Sequence, residues 1–175
     1  MNPMNHVNMD KLKELMEAFK KNPDNTKITP KVSGDWVFVE GQPQFRSNIE
    51  IEGGRFMVEA DMPSKLGGWG SRPGPLHWCL YGLASCYAFT FAALAAMEGI
   101  TLSKLSVEAE GHIDFSKVLG LTENPIVKEV KFKVTADSKA GRGEMPRGSL
   151  LNQTYQSHYR AHEVIAPFIP PYFKF

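Results

Sequence analysis

The sequence predicts an α+β fold with mostly antiparallel neighbours, and three observations carry that expectation. The stretch "PLHWCLYGLASCYAFTFAALAAMEG", Pro75 to Gly99, holds no charged residue before Glu98 and is long enough for one extended helix. On both sides of it the apolar period changes to two, the mark of half-buried strands. The strand-like runs precede and follow the helix in blocks, in the order βββ–α–ββ–α, and do not alternate with helices as a parallel sheet requires. A length of 175 residues suits one domain with a short extension, here a helix and linker over 1–30 followed by a domain over 31–175.

The elements follow in chain order. Asn8 or Asp10 can cap a first helix, whose apolar stripe Leu12, Leu15, Met16 and Phe19 runs until Asn22-Pro23 stops it. "NPDNTKITPK" reads as a linker. From Trp36, "WVFVEGQPQFRSNIEIEGGRFMVEAD" reads as three strands broken at "GQPQ" and "EGG". "MPSKLGGWGSRPGP" is an irregular loop, after which Pro75 stands at the first position of the long helix and Gly99 just past its end. Next, Leu105, Val107, Ala109, Gly111 and Ile113 alternate with Ser106, Glu108, Glu110, His112 and Asp114. In "VKEVKFKVTAD", Val130, Phe132 and Val134 alternate with Lys131 and Lys133. Pairing these two strands would set an acidic outer face beside a basic one. A loop at "KAGRGEMPRG", a last helix at "SLLNQTYQSHYRAHEVI" and an extended Pro-rich tail complete the chain.

Hydrophobic content of 42%, charged content of 22% and a net charge of +1 describe a soluble globular protein. They give no reason to expect nucleic acid or an anionic membrane surface as a partner. Trp78 to Met97 is a 20-residue uncharged run, about the length of a membrane span. Six of its residues are Ala and only five are Leu or Phe, so a helix buried in a soluble core is the better reading. The first residues lack the apolar run of a signal peptide, and the expected compartment is cytoplasmic.

Both cysteines, Cys79 and Cys86, lie in the long helix. Seven residues of helix separate them by about 10.5 Å along the axis, whereas a disulfide needs Cα atoms within about 7 Å. An intact helix therefore excludes a bridge between them, and with it a CxxC-type redox pair. Small buried hydrophobes are one reading of both. A working thiolate at position 86 is too far from the helix N-terminus to gain from its dipole, so a cation, best an arginine, must come from elsewhere.

"DMPSKLGGWGSRPGPLHWCLYGLASCYAFTFAALAAMEGITLSKLSVEAEGHIDFSKVLGL" resembles the OsmC/Ohr family, the osmotically induced and organic hydroperoxide resistance proteins. The resemblance rests on Asp61, Pro63, Gly67 and Gly68 of a D-x-P-x-x-x-G-G loop and on Pro75, Leu83, Ser85 and Cys86 of a Pro-led helix ending in S-C. Gly99, Ile100, Leu102, Asp114, Leu119 and Gly120 carry it onward. It implies an antiparallel sheet wrapped around a long buried central helix, in an intertwined homodimer, with 31–175 as the OsmC-like domain. It also implies a cofactor-free thiol peroxidase in which Cys86 attacks an organic hydroperoxide, helped by an arginine of the N-terminal strands and a glutamate after the helix-leading proline. A second, resolving cysteine belongs on the last helix. Here the glutamate slot falls on Leu76, and no cysteine follows Cys86; the resolving slot falls near Tyr159 to Ala161. The chain is similar to a divergent branch with an N-terminal helix, and an external thiol or dithiol would have to act as reductant.

Arg46 or Arg55 could supply the arginine, and Arg46, nearer the start of its strand, is preferred. His77, beside Leu76, could replace the missing glutamate as a hydrogen-bonding partner. Trp78, Tyr81, Tyr87 and Phe89 could line an apolar pocket for the peroxide. His158 and His162 have metal-binding spacing, but no thiolate or carboxylate accompanies them in sequence, so no metal is expected. From a different class, the same fold could bind small apolar molecules without catalysis.

Overall fold

The structure, a computed structural model, describes residues 3–138. The expected last helix and tail, with His158, His162 and the Tyr159–Ala161 slot, lie outside the described residues. The chain divides into two compact units, one of Glu14–Gly82 and the other of Met1–Lys13 with Leu83–Phe175. Its described elements are α+β with antiparallel pairing throughout.

A short hairpin of β1 (Pro3–Met4) and β2 (Val7–Asn8) leads into α1 (Met9–Lys21). Asn5 and His6 both take positive φ, 51° and 65°, as a two-residue turn between paired strands demands. Asn8 caps α1, its Oδ1 accepting the Lys11 N–H at 3.2 Å. Of the expected stripe, Leu12, Met16 and Phe19 are half-buried, while Leu15 stays exposed.

In the Glu14–Gly82 unit, β3 (Gly34–Trp36), β4 (Phe45–Ile51) and β5 (Gly54–Ala60) form one antiparallel sheet in that order. The first strand was expected to start at Trp36 but ends there. Beyond the Val37 N–H, which still reaches Gln44 O at 2.9 Å, the chain turns away. A Gln42 N–H to Val39 O bond and Gly41 at φ 77° make that turn. The β4–β5 turn is two residues long, which fixes Arg46 opposite Glu59 and Glu50 opposite Arg55.

After β5 the Asp61 loop is built around one buried carboxylate. Asp61 is 1% exposed. It accepts the Ser71 N–H at 2.9 Å, the Ser71 hydroxyl at 2.8 Å and the Trp69 N–H at 3.3 Å. The two glycines it encloses are needed for different reasons. Gly67 has φ 89°, a left-handed conformation. Gly68 has no room for a side chain, since a Cβ there would sit 1.9 Å from Met62 O.

The long helix α2 spans Pro75–Met97. Gly99 at φ 75° ends it; its own N–H reaches Ala96 O at 3.1 Å, and the Ile100 N–H reaches Ala95 O at 2.8 Å. In the second unit the hairpin of β6 (Leu102–Ile113) and β7 (Val127–Ser138) supplies the surface against which α2 packs. Phe91 and Ala95 are fully buried there, against Leu102, Leu105, Val134 and Ala136 among others. By length and composition α2 could cross a membrane; its C-terminal part is instead the core of this unit. Burial on most sides was expected, yet within the single chain only Phe91, Ala93, Ala95 and Ala96 are buried. The β6–β7 hairpin covers one stripe of a helix that is apolar all round.

The expected charge ladder on β6–β7 is present. Glu108 stands opposite Lys133 and Glu110 opposite Lys131, with Val107–Val134 and Ala109–Phe132 on the inward face. At the far end of the hairpin, Asp114 accepts the Ser116 N–H and pairs with Lys128, both at 2.9 Å. Hydrogen bonds from Ser116 and Lys128 hold its carboxyl well below the ordinary value of 3.8.

Candidate functional site

Two groups of chemistry-bearing residues stand out, one in each unit. In the second unit Cys86 is a free, exposed thiol on α2. Its carbonyl accepts the Thr90 hydroxyl at 3.0 Å in addition to its helical duties. Tyr87 beside it stacks on Phe132 of β7, with ring centroids 5.6 Å apart and planes 20° from parallel. The aromatic ring thus helps to fix α2 on the sheet. Phe89 remains 64% exposed.

In the Glu14–Gly82 unit the structure assembles a cluster around Arg46. The guanidinium reaches Glu59 Oε1 through Nε at 3.0 Å and through a terminal nitrogen at 2.8 Å. Arg72 Nε takes the other carboxylate oxygen, Oε2, at 2.8 Å. The hydrogen bonds from Arg46 and then Arg72 outweigh the cost of burial and hold the Glu59 carboxyl below its ordinary value of 4.5. Arg55, the alternative candidate, pairs with Glu50 at 2.7 Å in an open setting where both side chains are 70% or more exposed. Of the two arginines, only Arg46 sits in a half-buried network.

The first turns of α2 join this cluster. The Trp78 indole N–H donates to Glu59 O at 3.0 Å, and its ring meets Tyr81 edge-on at 6.1 Å. Tyr81 is 67% exposed. His77 has a local role: its Nδ1 accepts the Gly74 N–H at 3.2 Å, while its backbone N–H reaches Gly74 O at 2.9 Å. The side-chain bond is one half of a capping box, with histidine in the usual Glu or Gln position; Gly74 has no side chain to supply the other half. Cys79 is free and exposed. Among the described residues no cluster of three or more His, Cys, Asp or Glu could hold a metal ion.

Against known proteins, the deciding comparison is with the OsmC family model, described as OsmC-like protein, which matches residues 68–145. This segment is similar to OsmC-like proteins. The match takes in the second glycine of the Asp61 loop, all of α2 with both cysteines, and the β6–β7 hairpin. Among solved structures, the chain is similar to one described as an organic hydroperoxide resistance protein OsmC, predicted redox protein, regulator of sulfide bond formation, from Legionella pneumophila. The two are 20% identical over 79% of this chain and 86% of that one, with a TM-score of 0.45. No curated protein matches the chain.

Sequence reading named Cys86 and Arg46 as candidates and did not name Glu59 or Arg72, which the structure places around Arg46. A signal for Glu59 was present. The "EGG" turn sets the hairpin register, and that register places Glu59 across from Arg46. Arg72 comes from an irregular loop, where no periodicity announces a neighbour.

Proposed function

We propose that the OsmC-like chain is a thiol-dependent reductase of organic hydroperoxides, working as a cytoplasmic homodimer, with Cys86 as the attacking residue. One observation carries this reading: the OsmC match spans the Ser85–Cys86 dipeptide, and the Cys86 thiol stands free and exposed on α2. In the proposed cycle the Cys86 thiolate attacks the terminal oxygen of ROOH. The O–O bond breaks, the alcohol leaves after taking a proton, and the sulfur becomes a sulfenic acid. A thiol of an external dithiol then displaces water to form a mixed disulfide. The second thiol of that molecule resolves it, restoring Cys86 and leaving the reductant oxidised. Arg46, contributed in the homodimer by either protomer, is assigned to stabilise the thiolate and the departing alkoxide. The chemistry needs no cofactor. Trp78, Tyr81 and Tyr87 are the aromatic candidates for the apolar part of the peroxide, with His77 at the helix head.

The test is turnover of cumene hydroperoxide with dihydrolipoamide by the purified protein. Wild type should consume peroxide steadily, and Cys86→Ser should fall to the uncatalysed rate. Equal rates for the two would refute the reading. A second reading has its own observation: Leu76 removes a carboxylate from the head of α2, as a binding protein for small apolar molecules would prefer. Saturable binding of such a molecule without turnover would favour it.

A further inference from the structure

The hairpin of β4 and β5 carries two cross-strand ion pairs on one face, Arg46–Glu59 and Arg55–Glu50, and they are built differently. Glu50 and Arg55 are 70% and 74% exposed. Such a pair is screened by water and free to reorient. Glu59 is only 10% exposed at its side chain, against 40% for Arg46, so the carboxylate sits inside and the guanidinium outside. Two further contacts fix it. Arg72 holds Oε2, Arg46 is left with Oε1 alone, and Trp78 holds the Glu59 backbone carbonyl.

That arrangement determines how Arg46 is presented. A guanidinium on a long side chain samples many rotamers unless its planar edge is held. Here Nε and one terminal nitrogen are both directed at Oε1, with Gln42 Oε1 a distant 3.5 Å contact of the same terminal nitrogen. The remaining terminal nitrogen of Arg46 has no hydrogen-bond partner among the described residues. One carboxylate between two guanidiniums also leaves the cluster with one positive charge in excess. The Arg46 side chain is therefore oriented and charged, with one terminal nitrogen open to solvent or to an anion.

We propose that Glu59 is the positioning residue for Arg46, with Arg72 fixing Glu59 from the other side. The carboxylate directs the remaining donors of Arg46 toward the charge that develops when the peroxide O–O bond breaks. This assignment rests on the hydroperoxide-reductase reading. It assigns no contact with peroxide to Glu59 itself.

The experiment separates the two half-reactions in wild type, Glu59→Gln, Glu59→Asp, Arg72→Gln and the control Glu50→Gln. Cumene hydroperoxide is varied at fixed dihydrolipoamide, and then the reverse. Glu59→Gln keeps the shape and loses the charge, and should lower kcat/KM for peroxide by about 10- to 100-fold, the cost of a misplaced catalytic group. Its kcat/KM for the dithiol should stay within about 2-fold, because a structural injury would lower both limbs. Glu59→Asp should recover part of the loss, and Glu50→Gln should stay within about 2-fold on both limbs. Should Glu59→Gln fail to fold, Arg72→Gln at its more exposed position carries the test, with a smaller loss confined to the peroxide limb. Unchanged kinetics, or equal losses on both limbs, would overturn the assignment while leaving the reductase reading in place. A wild type no faster than Cys86→Ser would overturn the reductase reading and this assignment with it.

Discussion

Gly67 and Gly68 offer a sharp test, because the structure requires glycine at each for a different reason. At Gly68 a Cβ would lie 1.9 Å from Met62 O, 2.5 Å from its carbonyl carbon and 2.7 Å from its Cα. Ordinary contacts begin at 3.4 Å, so the Met62 carbonyl would have to retreat by the difference from 1.9 Å, which is 1.5 Å. That carbonyl also accepts the Gly70 N–H at 3.0 Å, a bond the retreat would break. Overpacking costs about 1–3 kcal/mol and the lost hydrogen bond about 1 kcal/mol, so Gly68→Ala should cost about 2–4 kcal/mol. At Gly67 nothing stands within 4 Å of a Cβ. Only the left-handed φ opposes a side chain, and Gly67→Ala should cost about 1–2 kcal/mol. For a chain of this size each kcal/mol lowers Tm by about 2–4 °C. Urea titration with unchanged slope, alongside thermal melts, reads both variants. A Gly68→Ala protein no less stable than Gly67→Ala would show that the steric argument for this loop is wrong.

Other expectations follow from the thiols and the carboxylates. Cys79→Val, nearly conserving volume at an exposed helical position, should leave folding and peroxide turnover close to wild type. After peroxide treatment, non-reducing mass spectrometry should show no bridge from Cys79 to Cys86 within a chain, since α2 holds them about 10.5 Å apart. Glu59, Asp61 and Asp114 all have folded-state carboxyl pKa values below their ordinary ones. For Asp61, burial alone would raise the pKa, but the Ser71 and Trp69 donors prevail. A carboxyl depressed by folding stabilises the protein fully above its unfolded pKa, and the benefit is lost as pH falls toward the folded one. Denaturation midpoints should therefore hold near neutrality and decline below the ordinary values of 4.5 and 3.8. Asp114→Asn should make that decline shallower.

Much of the fold was legible in the sequence because the signals were local. Asn8 and Gly99 mark their helix ends through hydrogen bonds made within a few residues. The alternation of Val107, Ala109, Val130 and Phe132 reports one buried face whatever packs against it. The Asn5–His6 hairpin was missed, because two-residue strands carry no period to detect. How far α2 is buried was not legible for a related reason. Composition shows that the helix tolerates burial on every side, while the number of sides covered depends on what packs there. Of the candidate residues, Cys86 was named from its motif and Arg46 from its strand. The Arg46–Glu59–Arg72 network needed the hairpin register and a loop geometry that no pattern encodes. His77 carries a role that its sequence position did not announce: its Nδ1 serves the backbone at the head of its own helix.

Asn5 has a consequence for where this chain can be cut. Its side-chain amide donates to Ile100 O at 2.8 Å, and its carbonyl oxygen accepts the Leu102 N–H at 2.8 Å. These are the backbone groups that neither α2 nor β6 can satisfy at the corner between them. A residue near the start of the chain thus splices a junction almost a hundred positions downstream. A shortened version beginning at Met9 would keep every residue of the OsmC-like segment yet lose that splice. Purification tags therefore belong ahead of the hairpin, and trimming should stop short of Pro3.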